Sequence, residues 1–330
     1  MKFSIIVPVY NREAEVADLL ASLAAQTDHG FEIIIVEDGS SLPCRRVCEQ
    51  YADTADIKYY YKENEGRSIA RNYGMDRADG DFFVFVDSDC ILPPDYIAKL
   101  RNCLAEHPTD CFGGPDDAHD SFTDIQKAIN YSMTSLLTTG GIRGGKVQME
   151  KFVPRTFNMG FSRAVYKKVG GFREMFSEDI DMSTRIRLAG FSIALFRPVR
   201  VFHKRRVNLR KFWRQVHVFG MSRITLQLLY PGSMKLVHTL PAVFTIGSVL
   251  LVLLSLWHWW FIIPLALYIL AVWIVGIVST KSLKIGTIGV VTSLIQLYGY
   301  GTGFIRAYVW KILLRHGRDE AQEVEMRRGK

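Results

Sequence analysis

The first ninety residues alternate between unbroken apolar runs and runs in which apolar residues return every three or four positions. FSIIVPV (3–9) is a β-branched stretch that reads as a strand. In the following YNREAEVADLLASLAAQT, Val16, Leu19, Leu20 and Leu23 fall at helical spacing, and Asn11 is the expected N-cap. FEIIIVEDGSS predicts a second strand ending in acids and a turn. Val47 and Tyr51, four apart, predict a helix within 43–52. IKYYY (57–61) predicts a third strand, and SIARNYGMDRA (68–78) a helix stopped by Asp79-Gly80. DFFVFVDSDC (81–90) is a fourth strand closed by Asp87 and Asp89. Strands that are apolar at every position, rather than at alternate ones, are buried on both faces, so the pattern predicts an α/β fold with a mostly parallel sheet covered by helices.

Beyond residue 110 the signal weakens. Residues 110–155 are glycine-rich and read as loops with one helix around 121–137. FNMGFSRAVYKKVGGF (157–172) mixes a short strand, a helix and a glycine turn. SEDIDMSTRIRLAG (177–190) predicts a helix with Ser177 at the N-cap and Gly190 as its stop, and FSIALFRPVRVFHK (191–204) reads as strands. In 205–223, Leu209, Phe212, Trp213 and Val216 form a helical stripe edged by Arg206, Arg210, Lys211 and Arg214. Two readings stand: a basic amphipathic helix at a membrane surface, or a domain helix with a solvated basic face.

Residues 236–256 and 259–279 are apolar runs that each reach the roughly 20 residues needed to cross a bilayer. Only a tight hairpin fits between them, and Trp257, Trp259 and Trp260 suit an interfacial belt. A third run, 285–305, is diluted by Gln296 and five glycines. Basic residues before 236 and in TKSLK (280–284) place those segments on the cytoplasmic side. A spanning third run would put Arg306, Lys311, Arg315 and Arg318 outside, against that rule. It therefore reads as a re-entrant or interfacial segment, or as a span that violates the rule.

Charge sharpens the division. Of 330 residues, the first 181 carry 20 Lys/Arg against 29 Asp/Glu, the remainder 21 against 4. No acidic residue occurs between Asp181 and Asp319. An acidic front and a basic, apolar rear predict a soluble domain followed by a membrane region. The long uncharged runs in the basic half argue against nucleic acid as its partner. Cys44, Cys48, Cys90, Cys103 and Cys111 form no C-x-x-C pair, which fits a reduced cytosolic domain. The opening MKFSIIVPVYN, cut by Pro8, reads as a first strand and not as a secretory signal.

A parallel sheet binds ligands beyond the carboxyl ends of its strands. Here those ends deliver Tyr10 and Asn11, Glu37 and Asp38, then Asp87 and Asp89. In an extended segment Asp87 and Asp89 would point the same way, two hard oxygen groups suited to Mg²⁺ or Mn²⁺ together with substrate phosphates. Lys62, Arg67 and Arg71, before and within the helix at 68, suit a diphosphate. Glu178, Asp179 and Asp181 form a second acidic cluster, denser than helix capping requires.

These motifs together resemble the family-2 inverting glycosyltransferases, which have the GT-A fold. SIIVPVYNRE looks like the family's opening strand and loop, and IIIVEDGSS like its D-D-G-S element with Glu37 in place of the first Asp. KENEGRSIARNYGM looks like the N-x-G-x-x-x-A-R-N segment, FVDSDC like the D-x-D, FNMGFSRAVYKKVGGF like the acceptor-side segment and FSEDIDMSTRIRLAG like the E-D helix. The resemblance covers roughly 1–223 and implies a nucleotide-diphospho-sugar donor, UDP first, with the Glu37 departure leaving the base open. It implies donor contacts at Pro8, Tyr10, Asn11, Glu13, Asp38, Asn64, Gly66, Arg71, Asp87 and Ser88. It implies a Mg²⁺ or Mn²⁺ site at Asp89, Asp87 and His203, and a base at Asp179 with Glu178 close behind. Asn158, Gly160, Arg210, Trp213 and Arg214 fall on the acceptor or diphosphate side. The Q-x-x-R-W motif of processive synthases is not matched by RKFWRQ, which puts processivity in doubt.

The implied organisation is a transferase domain at 1–205 (donor half 1–115, acceptor half 116–205), an interfacial helix and linker at 206–232, a membrane region at 233–306 and a charged tail at 307–330. The implied protein is a multi-pass protein of the cytoplasmic membrane with its transferase domain in the cytosol. Its acceptor is a lipid-linked or membrane-presented glycan, or else a polyprenyl phosphate itself. A non-catalytic membrane partner with a degenerate transferase domain is the reading from a different class.

Overall fold

The structure, a computed structural model, describes residues 1–117, 122–139, 152–203 and 208–314. Arg206, Arg315, Arg318 and residues 140–151 of the glycine-rich stretch lie outside the described residues. The chain forms two compact units: Met1–His119 with Lys151–Lys204, and Asp120–Glu150 with Arg205–Lys330.

The first unit begins with β1 (Phe3–Val9), α1 (Glu13–Ala24), β2 (Phe31–Asp38), α2 (Arg45–Glu49), β3 (Ile57–Lys62), α3 (Arg67–Arg77) and β4 (Phe82–Phe85). It continues with β5 (Cys90–Ile91), α4 (Tyr96–Glu106), β6 (Cys111–Gly113) and β7 (Asp116–Asp117). The chain then gives α5 (Asp124–Thr134) and α6 (Leu136–Thr139) to the second unit. It returns for β8 (Met159–Ser162), α7 (Arg163–Val169), α8 (Glu178–Leu188), β9 (Ile193–Leu195) and β10 (Val201–His203).

Seven strands pair in the order β3-β2-β1-β4-β8-β6-β9. β1 to β4 are mutually parallel, as their unbroken apolar runs require, and β8 enters antiparallel between β4 and β6. Phe3, Ile5, Val7 and Val9 of β1 pack on one face with Val16, Leu19 and Leu20 of α1. Ile6 packs on the other with Ile34, Val36 and Phe85. Pro8 is tolerated inside this central strand because β4 stops pairing at Ile6, so no ladder donor is missed on that side. The chain runs outward from β1 to β3, then restarts on the far side of β1 with β4. That reversal is where such sheets leave a crevice for ligands.

A separate three-stranded sheet, β5-β10-β7, joins pieces far apart in sequence. Its register sets His203 opposite Cys90 and Phe202 beside Asp117.

Two details differ from the sequence reading. Arg12, not Asn11, occupies the N-cap of α1; Asn11 sits at φ 52° and its Oδ1 accepts from Ser41 instead. Among its described residues, the irregular stretch after 110 holds two strands and two helices, and α5 lies in the second unit and not in an acceptor half. A capping box formed by Thr123 and Gln126 starts α5.

The second unit adds α9 (Leu209–Leu229), α10 (Leu236–Ser255), α11 (Ile263–Thr280) and α12 (Leu283–Ala307). Among the described residues, Leu236–Ser255, Trp259–Thr280 and Leu283–Leu313 are long and apolar enough to cross a membrane. The first two coincide with the predicted runs. The third is one uninterrupted helix, where a re-entrant segment would need a break, so that expectation is withdrawn. α9 begins at Leu209 with Asn208 as its N-cap; Phe212 and Val216 are buried, while Trp213 is 39% exposed and stands partly outside the stripe.

Candidate active site

The site lies in the first unit, at the carboxyl ends of β1, β2 and β4. β2 ends on Glu37 and Asp38, both buried, and the two acids do different work. Glu37 accepts from Ser40 Oγ, from the Cys44 N–H at 2.8 Å and from the Tyr59 hydroxyl at 3.3 Å. It shapes the loop whose Ser40 in turn receives the Asn11 N–H at 2.7 Å. Asp38 is enclosed by the segment 62–66: Lys62 Nζ donates at 2.8 Å, and the N–H groups of Glu65 and Gly66 at 3.0 and 2.9 Å. Asn64 Nδ2 donates to the Asp38 carbonyl at 2.9 Å. Gly66 takes φ 100°, a conformation that favours glycine, to bring its N–H onto the carboxylate. The Lys62–Asp38 pair has both side chains nearly covered. Tyr10, 53% exposed, and Glu13 stand open just after the carboxyl end of β1.

Beyond β4 the chain does not stay extended. The Cys90 N–H donates to the Asp87 carbonyl at 3.1 Å, so residues 87–90 form a turn around the buried Ser88. Asp87 and Asp89 therefore do not share one strand face, and each has its own partner. Arg71 of α3, 1% exposed, donates to Asp87 at 2.7 Å. Asp89 Oδ1 lies 3.2 Å from His203 Nε2.

His203 is placed by β10. Its ring stacks on Phe157 at 4.7 Å between centroids, and Nδ1 lies 3.8 Å from Asp116 at the head of β7. Ligand atoms of Asp89, Cys90 and His203 all fall within 4.8 Å of one another. A carboxylate and an imidazole on that spacing fit a divalent cation such as Mg²⁺ or Mn²⁺. Cys90 fits less well, because such hard cations prefer oxygen to sulfur ligands; full burial and then the nearby Asp89 push its thiol well above the ordinary range. Asp116 went unnoticed in the sequence, since a two-residue strand leaves no periodicity to find.

The second acidic cluster opens α8. Ser177 holds the N-cap position in the left-handed region at φ 65°, an uncommon conformation for serine. Glu178 is buried and receives Arg67 at 2.7 Å and Arg71 at 3.1 Å. Burial lifts its carboxyl above the ordinary range, opposed by the two guanidinium groups. Asp179 is less enclosed and pairs with Arg155 Nη1 at 3.1 Å. Asp181 is buried and taken by Arg173 and Arg185 at 2.9 and 2.8 Å, a structural role. Arg155, a further residue the sequence reading missed, follows Phe152, whose carbonyl accepts from Arg187.

Asn158 and Gly160 do not line an acceptor surface. Asn158 is fully buried; Tyr96 donates to its Oδ1 at 2.7 Å, and its Nδ2 donates to Val199 O at 2.8 Å and Pro115 O at 3.2 Å. Gly160 sits inside β8, where a Cβ would meet the Phe83 carbonyl at 2.6 Å. Both serve packing. Arg210, Trp213 and Arg214 belong to the second unit.

The carboxyl edge of a parallel sheet at its topological switch, rimmed by acids and the buried Arg71, fits the nucleotide-binding edge of an α/β enzyme. The profile of glycosyl transferase family 2 matches residues 4–170, and the chain belongs to that family. It is 36% identical over 110 residues to the glycosyltransferase GlyA of Streptococcus pneumoniae, a match spanning 33% of this chain and 16% of GlyA. It is 34% identical over 114 residues to the poly(ribitol-phosphate) β-N-acetylglucosaminyltransferase TarS of Staphylococcus aureus, spanning 33% of this chain and 20% of TarS. The mannosyltransferase PcManGT of Pyrobaculum calidifontis, solved with GDP-Man and Mn²⁺, shares the fold: TM-score 0.56, 17% identity, covering 96% of this chain and 88% of PcManGT.

Proposed function

We propose that the protein is an inverting glycosyltransferase that moves a sugar from a nucleoside-diphosphate donor to an acceptor presented at a membrane. The observation that carries this is Arg71, which ties the acid cluster at the end of β4 to the one opening α8, at 2.7 and 3.1 Å. Two carboxylate clusters on one buried arginine fit a reaction with a leaving group on one side and an incoming group on the other.

In a single displacement the acceptor hydroxyl must lose a proton as it attacks the anomeric carbon from the face opposite the diphosphate. Asp179, partly open at the α8 N-terminus, is the group that takes it. Glu178 is committed to Arg67 and Arg71 and orients them. Tyr10, Asn11 and Glu13, with Pro8 and Ser88 behind them, would frame the base and ribose, and the Asp38 clamp with Asn64 and Gly66 would hold the pocket's shape. Asp89 and His203, with Asp87 nearby, would hold Mg²⁺ or Mn²⁺, which offsets the charge developing on the leaving diphosphate. Residues 1–119 and 151–204 act as the transferase domain in the cytosol, with 120–150 joining 205–232 and 233–306 as the interfacial and membrane regions. The base stays open between UDP and others. The name of TarS gives N-acetylglucosamine as its sugar and the PcManGT structure holds GDP-Man, while Glu37, which stands where the family has Asp, is spent on Ser40, Cys44 and Tyr59.

The acceptor is a lipid-linked or membrane-presented glycan. Arg210, Lys211 and Arg214, exposed on α9, favour as second reading a polyprenyl phosphate that accepts the sugar directly. Membranes containing the protein, incubated with labelled donor and then extracted with organic solvent, separate the two. Label on a glycan released by mild acid as an oligosaccharide supports the first, and label released as a monosaccharide supports the second. No incorporation with any donor would contradict the transferase reading.

A further inference from the structure

α12 is long and apolar enough to cross a bilayer, yet its neighbours within the second unit set polar and charged groups along it. α9 runs beside the carboxyl half of α12 in the same direction. Gly299 packs against the Trp213 carbonyl and Val216, Gly303 against the His217 backbone, and Gly220 against the Tyr300 backbone. Farther along, Lys311 Nζ donates to Thr225 at 2.9 Å. Those glycines have no Cβ to keep the two backbones apart, so the helices are locked together over this length.

α9 has 21 residues, but it is not among the helices apolar enough to cross. Its first turn, with the Asn208 side chain capping the Arg210 and Lys211 N–H groups, stands level with Gly299 near the middle of Leu283–Leu313. Arg210, Lys211 and Arg214 are exposed there. Were α12 to cross the membrane, these three cations would sit near the bilayer centre, where charges are expensive. The amino half of α12 also carries polar company. α5 packs on it through Tyr131 against Gly289 and Thr292 Oγ1 donating to Ala128 O at 3.0 Å, and Lys284 pairs with Asp124 at 2.7 Å. α10 and α11 meet α12 elsewhere: at Tyr298, whose hydroxyl lies 3.0 Å from Ser248 Oγ, at Gly301 against Pro241 and Thr245, and at Gly286 against Ile277. Half of α12 is buried, against 22% and 11% for the other two runs.

We infer that α12 lies in the plane of the membrane surface, clamped between the α5/α9 pair and the α10–α11 hairpin, so that of the three long apolar helices among the described residues two cross. The occupant of the free basic side of α9 is then the anionic leaflet, with Arg210, Lys211 and Arg214 at the depth of the lipid phosphates. This arrangement also keeps Arg306 and Lys311 on the same side as Lys281 and Lys284, in agreement with the distribution of positive charge.

This inference rests on the membrane reading above, and the test separates the two. Single cysteines are placed at Leu314→Cys and, as a second position, Trp310→Cys beyond α12, and at Leu256→Cys at the hairpin tip, in the full-length protein. Intact cells are treated with a membrane-impermeant maleimide, with the unmodified protein as background. The expected result is labelling of Leu256→Cys from outside, and labelling of Leu314→Cys and Trp310→Cys only after permeabilisation. Labelling of Leu314→Cys or Trp310→Cys from outside overturns the in-plane placement. Failure to label Leu256→Cys in intact cells overturns the membrane reading beneath it.

Discussion

Replacing Asp179 by Asn should lower the transfer rate by about 10²–10⁴, the usual worth of a positioned general base, while the KM for the donor stays near its original value. Asn keeps the side-chain volume and can still meet Arg155, which now lies 3.1 Å from Asp179 Oδ2, so the loop around α8 should hold. What it loses is the ability to take a proton. Glu178→Gln should behave differently, because Glu178 faces Arg67 and Arg71: it should raise the donor KM as well as lower kcat. Steady-state transfer assays on both variants decide the roles. An Asp179→Asn protein with full turnover would refute the assignment.

Replacing Arg71 by Met should cost the transferase unit about 3–5 kcal/mol, because removing one partner strands a buried charge. Arg71 and Glu178 are 1% and 2% exposed, and Asp87 loses its 2.7 Å partner in the same change. The melting temperature should fall by roughly 10 °C, measured by following unfolding of the first unit. Arg71→Lys should rescue little, since a single ammonium cannot reach both carboxylates with the geometry of a guanidinium fork. A variant that melts like the native protein would mean that the buried bridge between the two acid clusters contributes nothing.

The parts of the site that sequence made legible are those carried by long local patterns. The runs FSIIVPV, FEIIIVED and FFVF announced two-faced burial, and the structure places them as parallel strands, β2 and β4 on either side of β1, with acids at the ends of β2 and β4. The α8 acids were visible because three in one turn exceed capping needs. His203 beside Asp89 was anticipated only through the family resemblance; the sheet that makes it real pairs strands of two or three residues from 90, 116 and 203, too short for any periodicity. The link through Arg71 was out of reach for a different reason. It joins residues 16 and 107 positions apart, and a buried arginine reads in sequence like a surface one. The spacing of Asp87 and Asp89 misled, since the same i, i+2 pair points one way in a strand and two ways in a turn. Asn158 and Gly160 misled likewise: a motif position can be fixed by packing, as the Phe83 carbonyl below Gly160 shows. In the second unit, composition found the hairpin but could not reveal that α12 carries a polar helix along its flank.

The central claim is that one sheet edge binds a nucleotide sugar together with a divalent ion through Asp89. The direct measurement is calorimetric titration of the full-length protein with UDP-, GDP-, dTDP- and CDP-sugars, each with and without Mn²⁺, repeated on Asp89→Asn. The account predicts that one donor binds only with Mn²⁺ present, and that Asp89→Asn weakens it by at least about tenfold, or roughly 1.4 kcal/mol. Equal binding with and without the ion, unchanged in Asp89→Asn, would contradict it.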